Sequence, residues 1–137
     1  MVYLTRKEHF NAAHQLYNPS WSEEKNIEVF GKCANKNFHG HNYNLFVTVK
    51  GKPNPDTGFI MNVKTLSNLI QTEVCELLDH KNLNMDVPEL KGTFASTENL
   101  AIFIWNKLNP LITECSLHCI ELWETENIYT KYYGETD

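Results

Sequence analysis

Residues 2–14 alternate with a period of two, so that Val2, Leu4, Arg6, Glu8, Phe10, Ala12 and His14 share one face, apolar mainly at its two ends. This pattern predicts a strand ending in His14. A second alternating segment places His39, His41, Tyr43, Leu45, Val47 and Val49 on one face, with Asn42, Asn44, Thr48 and Lys50 opposite. The histidines of this strand therefore belong to its apolar, inward side. Residues 51–58 are bounded by glycines and carry two prolines, which predicts a turn. From Asn62, a good N-cap, Val63, Leu66, Ile70, Val74 and Leu77 recur at helical spacing up to Asp79-His80.

A second helix is predicted to begin near Ser96 or Thr97, with Glu98 in its first turn, and to stop before Pro110; Leu100, Ile104, Leu108 and Leu111 form its apolar stripe. Residues 116–124 alternate again, and residues 127–133 can pair back on them across the short turn at Thr125-Glu126. The predicted order is β-β-α-α-β-β, an α+β chain. Residues 15–38, with Pro19, Gly31 and many polar side chains, are left as a long connection. Connections of this length are usually functional or disordered, and this one leads from Cys33 into His39.

With 137 residues, 42% of them hydrophobic, the chain can fill one core, so residues 1–137 are expected to form one domain. The net charge of -5 and a single arginine, Arg6, argue against a nucleic-acid partner. No leader-like start and no long apolar run is visible, so a soluble, cytoplasmic protein without membrane attachment is expected. Cys33, Cys75, Cys115 and Cys119 are irregularly spaced, which fits reduced thiols, with Cys75 and Cys119 as small core residues.

The candidate chemistry lies in His14 and in Cys33-x5-His39-Gly-His41. Side chains two apart on a strand project from the same face, so His39 and His41 can reach one ion while Gly40 leaves room between them. Two adjacent imidazoles on an apolar face waste polar groups unless a metal or water satisfies them. Adding His14 gives three ligands and an open position, the arrangement of a catalytic zinc. Cys33 has two readings: a fourth ligand that closes a structural site, or a thiol near Lys32 and Lys36 serving as base or nucleophile.

Asp79-His80 is either an ordinary helix C-terminus or an acid and imidazole paired for proton transfer. Glu124 shares a face with Ile120 and Leu122. Its carboxylate either frays into solvent, which spacing alone favours, or turns inward to meet a ligand with two parallel N–H groups.

Taken together, Phe10-Asn-Ala-Ala-His14, Gly31-Lys-Cys33 with its spacing to His39-Gly-His41-Asn-Tyr43, Leu78-Asp-His-Lys-Asn-Leu83, Asp86-Val-Pro88, Ser96-Thr-Glu-Asn99 and Glu124-Thr-Glu-Asn127 resemble the 6-pyruvoyl tetrahydropterin synthase family. The resemblance runs over nearly the whole chain. It implies a T-fold, in which a four-stranded antiparallel sheet carries two helices on one face and subunits join into a hexamer of two trimers. It also implies elimination of triphosphate from 7,8-dihydroneopterin triphosphate with side-chain rearrangement, zinc in the site, magnesium as a further requirement and no redox cofactor.

Carried over by position, the resemblance assigns zinc to His14, His39 and His41, and proton abstraction to Cys33. It assigns further proton transfer to Asp79 and His80 of a neighbouring subunit, and pterin binding to Glu124 with Thr97 and Glu98 near it. The five-residue gap between Cys33 and His39 favours a pyruvoyl over a carboxy product, because the related 6-carboxytetrahydropterin synthases typically show a shorter gap. Those synthases, or an enzyme cleaving a pterin side chain, are the nearest alternative; a non-catalytic zinc module is an alternative of another class. The chain departs from the family pattern at Phe38, where glycine is more frequent, and at Ala95-Ser96-Thr97, which replaces Ser-Thr-Thr.

Overall fold

The computed structural model describes residues 1–136. Strand β1, Val2–His14, pairs antiparallel with β2, His39–Gly51, from Val2 opposite Gly51 to His14 opposite His39. The ladder therefore brings the two histidine-bearing strand ends side by side. β4, Ser116–Trp123, adds to β2 with an irregularity between Thr48 and Val49, and β5, Tyr129–Tyr132, closes the hairpin on β4. These four strands are antiparallel, as predicted.

A two-residue strand, β3, Lys81–Asn82, lies parallel to β1 at Ala12–Ala13, and the sheet order is β3-β1-β2-β4-β5. Two residues are too few to show any periodicity, which is why the sequence did not reveal β3. Within residues 15–38 the chain forms helix α1, Glu23–Phe30, and a 3-10 turn, Gly31–Ala34. Ser22 caps α1 by accepting from the Lys25 N–H at 3.1 Å.

The second helix, α2, runs through Val63–Ile70, a π-helical turn Gln71–Cys75 and a last turn Glu76–Leu78. Helix α3 spans Thr97–Leu108 behind its N-cap Ser96, whose hydroxyl accepts from the Asn99 N–H. Both pack on one sheet face: Leu66, Ile70, Val74 and Leu78 of α2 and Leu100, Ala101, Ile104 and Leu108 of α3 are buried against Phe10, Tyr43, Leu45, Val47, Ile120 and Leu122. No helix is long and apolar enough to cross a membrane among the described residues.

Three stripe positions differ from expectation. The stripe of α2 closes on Leu78 rather than Leu77, because the π-turn holds four-residue steps in line; Val63 is 44% exposed. Leu111 is 47% exposed, because the helix tightens into a 3-10 turn at Asn109–Leu111 around Pro110 and Ile112 enters the core instead.

Candidate metal centre and active site

His14 ends β1, and His39 and His41 begin β2, so their side chains emerge on the helix-covered face of the sheet at one end. One nitrogen from each falls within 4.8 Å of the other two. His14 is fully buried, and the side chain of His41 is 18% exposed. Gly40 points to the opposite face, where a Cβ would meet the Ala12 carbonyl at an ordinary 3.5 Å. The room between the histidines thus comes from strand alternation, and glycine is not required for it.

A backbone hydrogen bond fixes the His14 ring. His14 donates from Nδ1 to the Ala95 carbonyl at 2.6 Å, which leaves Nε2 directed at the cluster. His14 Nε2, His39 Nδ1 and His41 Nε2 are buried without a hydrogen-bond partner among the described residues. Burial, the largest effect, lowers the pKa of His39, and repulsion from His14 and His41 adds to this against the pull of Glu124. Burial does the same for His41, opposed by Glu124 and reinforced by His14. Three imidazole nitrogens converging on one point are the donor set that suits zinc, and a metal would satisfy all three orphaned nitrogens together.

Glu124, just past β4, turns inward and its side chain is 17% exposed, so the frayed reading does not hold. Its Oε1 lies 3.3 Å from His14 Nε2 and 3.4 Å from His41 Nε2, contacts without hydrogen-bond geometry. The His14 ring is the main cause holding its carboxyl below the usual range; burial opposes this, and His41 and the Thr97 hydroxyl assist. A carboxylate oxygen this close to two imidazole nitrogens is favourable only with a proton or cation between them. Thr97 is buried at the start of α3 beside this carboxylate, whereas Glu98, in the same turn, is exposed to solvent.

Cys33 sits half-buried in the 3-10 turn, and its carbonyl accepts from the Leu16 N–H at 2.8 Å, tying the turn to the chain just after His14. Its sulfur is outside the cluster of histidine nitrogens. Cys75 and Cys119 are buried as expected.

Asp79 and His80 do touch: His80 Nδ1 is 2.9 Å from Asp79 Oδ2. Asp79 Oδ1 accepts from the Asn11 N–H at 2.8 Å, and the His80 N–H donates to the Asn11 carbonyl at 2.6 Å, with His80 in the left-handed region at φ 60°. The Asn11 N–H is the main cause lowering the Asp79 pKa, with the His80 hydrogen bond next. This pair sits at the outer edge of β1, with the His80 side chain 83% exposed, and makes no hydrogen bond or ion pair to the histidine cluster or Glu124 among the described residues.

Two participants were not singled out from the sequence. The Ala95 carbonyl fixes the His14 ring, and a backbone oxygen carries no sequence signal. Tyr43 follows His41 on the same face, fully buried, its phenol without a hydrogen-bond partner among the described residues and its pKa pushed up by burial and then by Glu124 and Cys33. A lone phenol between two histidines and an aliphatic run on one strand face was the available signal.

The fold and the site together define a T-fold protein with a three-histidine pocket suited to a metal ion. Residues 3–135 match the family described as 6-pyruvoyl tetrahydropterin synthase, and the chain belongs to that family of carbon–oxygen lyases acting on phosphates. It is 46% identical over 134 residues to the 6-pyruvoyl tetrahydrobiopterin synthase of Dictyostelium discoideum, covering 98% of this chain and 97% of that one. It is 41% identical over 132 residues to the Homo sapiens protein of the same name, covering 96% and 91%. The solved Caenorhabditis elegans 6-pyruvoyl tetrahydropterin synthase superposes with a TM-score of 0.92 at 34% identity, covering 98% of this chain and 96% of that one.

Proposed function

We propose that this chain is a zinc-dependent 6-pyruvoyl-tetrahydropterin synthase that releases triphosphate from 7,8-dihydroneopterin triphosphate and rearranges the side chain. The observation that carries this reading is the convergence of three unpartnered imidazole nitrogens beside Glu124 in a chain of this family. His14 through Nε2, His39 through Nδ1 and His41 through Nε2 would hold the zinc, which supplies Lewis acidity toward the hydroxyls of the substrate side chain.

The other steps belong to the chain's own groups. Glu124 accepts the paired N–H edge of the pterin ring, with Thr97 bracing its carboxylate and Glu98 at the rim. Cys33 removes a proton from the side chain, and His80, oriented by Asp79, returns one at the adjacent carbon. Triphosphate leaves with its bonding electron pair, and the reducing equivalents stay within the molecule, so no external redox cofactor is consumed. Asp79, half-buried, and His80, exposed, would serve a neighbouring subunit in a cytoplasmic hexamer of two trimers, with magnesium as a further requirement; their lack of any bond to the cluster in their own chain, among the described residues, supports this reading.

Incubation with 7,8-dihydroneopterin triphosphate, magnesium and zinc-loaded protein is expected to release triphosphate and give a product with the mass of 6-pyruvoyl-tetrahydropterin. Chelation of zinc, and separately Cys33→Ala, is expected to reduce release by at least about 100-fold. A parent protein without release, or a carboxy product, overturns the reading; full release by Cys33→Ala removes that residue from the mechanism.

A further inference from the structure

Four buried polar atoms lack a hydrogen-bond partner among the described residues: His14 Nε2, His39 Nδ1, His41 Nε2 and Tyr43 Oη. One metal ion accounts for the three nitrogens and leaves the phenol over. Its ring cannot swing away to find an acceptor. It is stacked on Phe10 at 4.9 Å between centroids and 15° between planes, and it meets His41 and His14 edge-on at 5.7 and 6.3 Å. Its strand-face neighbours Leu45 and Val47 are aliphatic and fully buried, so phenylalanine would serve the packing without an orphaned hydroxyl. The hydroxyl is useful only if something entering the pocket brings an acceptor.

We infer that Tyr43 is a further substrate-binding residue, donating its phenolic hydrogen to a hydroxyl oxygen of the pterin side chain held over the three histidines. This rests on the pterin reading above. The ligand oxygen satisfies a donor that has no partner among the described residues, so the hydrogen bond forms on binding and selects ligands that carry the side-chain hydroxyl.

The test is Tyr43→Phe, which removes one oxygen from a fully buried ring and opens no large cavity. In the metal-free form its thermal midpoint is expected to equal or exceed that of the parent, and its zinc stoichiometry by elemental analysis to be unchanged. Binding of neopterin, which carries the hydroxylated side chain without triphosphate, is expected to weaken about tenfold, the scale of one neutral hydrogen bond. Binding of 6-methylpterin, with the same ring and no side-chain hydroxyl, is expected to be unchanged. A lowered midpoint shows that the phenol already has an internal partner and overturns the inference. So does an equal loss for both pterins, or no loss for either while the parent binds them. A parent that binds neither pterin refutes the pterin reading itself and the inference with it.

Discussion

Glu8 is a carboxylate taken almost out of water, 8% exposed on the sheet face that packs against α2. Ser67 Oγ and Gln71 Nε2 each donate to it at 2.6 Å, and Arg6 Nε donates at 3.0 Å. Burial is the largest single influence and raises its pKa, yet the three hydrogen bonds and the Arg6 charge together outweigh it and the net shift is downward. Glu8→Ala leaves the Ser67 and Gln71 donors without their acceptor, and is expected to cost about 3 kcal/mol, or about 10 °C in thermal midpoint at fixed protein concentration. A depressed carboxyl stabilises the fold fully above its ordinary value of 4.5 and loses that contribution as the pH falls through its folded value. The gap in unfolding free energy between parent and variant should therefore be constant near neutrality and narrow below pH 4.5, as denaturant titrations at several pH values would show. Alternation placed Glu8 on the inward face beside Arg6, but its other two partners, Ser67 and Gln71, lie 59 and 63 residues away, beyond any local pattern.

Among the elements, those that bury an apolar face were legible because each repeats at its own period: β1, β2 and β4 at two, α3 near 3.6. Helix α1 was not, for its buried residue is Asn26, bonded to Asn18 and to the Ser22 carbonyl, while Ile27 and Val29 are 57% and 53% exposed. A helix held by an amide and a cap shows no apolar stripe. In α2 the buried residues Leu66, Ile70, Val74 and Leu78 are spaced by four throughout, and a regular α-helix would turn such a series by about 120° away from the sheet. The π-turn Gln71–Cys75 unwinds the helix enough to keep them in line. Deleting the exposed Thr72 should convert this turn to regular α-helix, with both halves of the stripe still facing the core. The helix then ends about 1.5 Å short, and Asp79 is drawn from the Asn11 N–H that it now holds at 2.8 Å. The expected outcome is retained helical circular dichroism and cooperative unfolding, with triphosphate release reduced about 100-fold. Unchanged release would show that the position of Asp79 and His80 does not matter.

At the scale of the whole molecule, the histidine pocket was readable because one strand pairing suffices to build it, and His14 lies directly opposite His39. The inward turn of Glu124 was not, since it depends on how the end of β4 meets the start of α3. That Asp79 and His80 bond to Asn11 and to each other rather than to the histidine cluster is a property of the folded chain that neither motif discloses. If the pair serves a neighbour's pocket, a working site needs Cys33 from one chain and His80 from another. Cys33→Ala and His80→Ala would each be inactive alone, yet hexamers assembled from equal amounts of both would contain some sites in which both residues are intact. Random assembly makes that about one site in four, so the mixed protein should recover about a quarter of the parent's triphosphate release. If Cys33 and His80 of the same chain act together, every site in the mixture lacks one of them and no activity returns. Co-expressing the two variants under different affinity tags and assaying the doubly tagged species separates these outcomes; a doubly tagged species that fails to form would refute the oligomer itself.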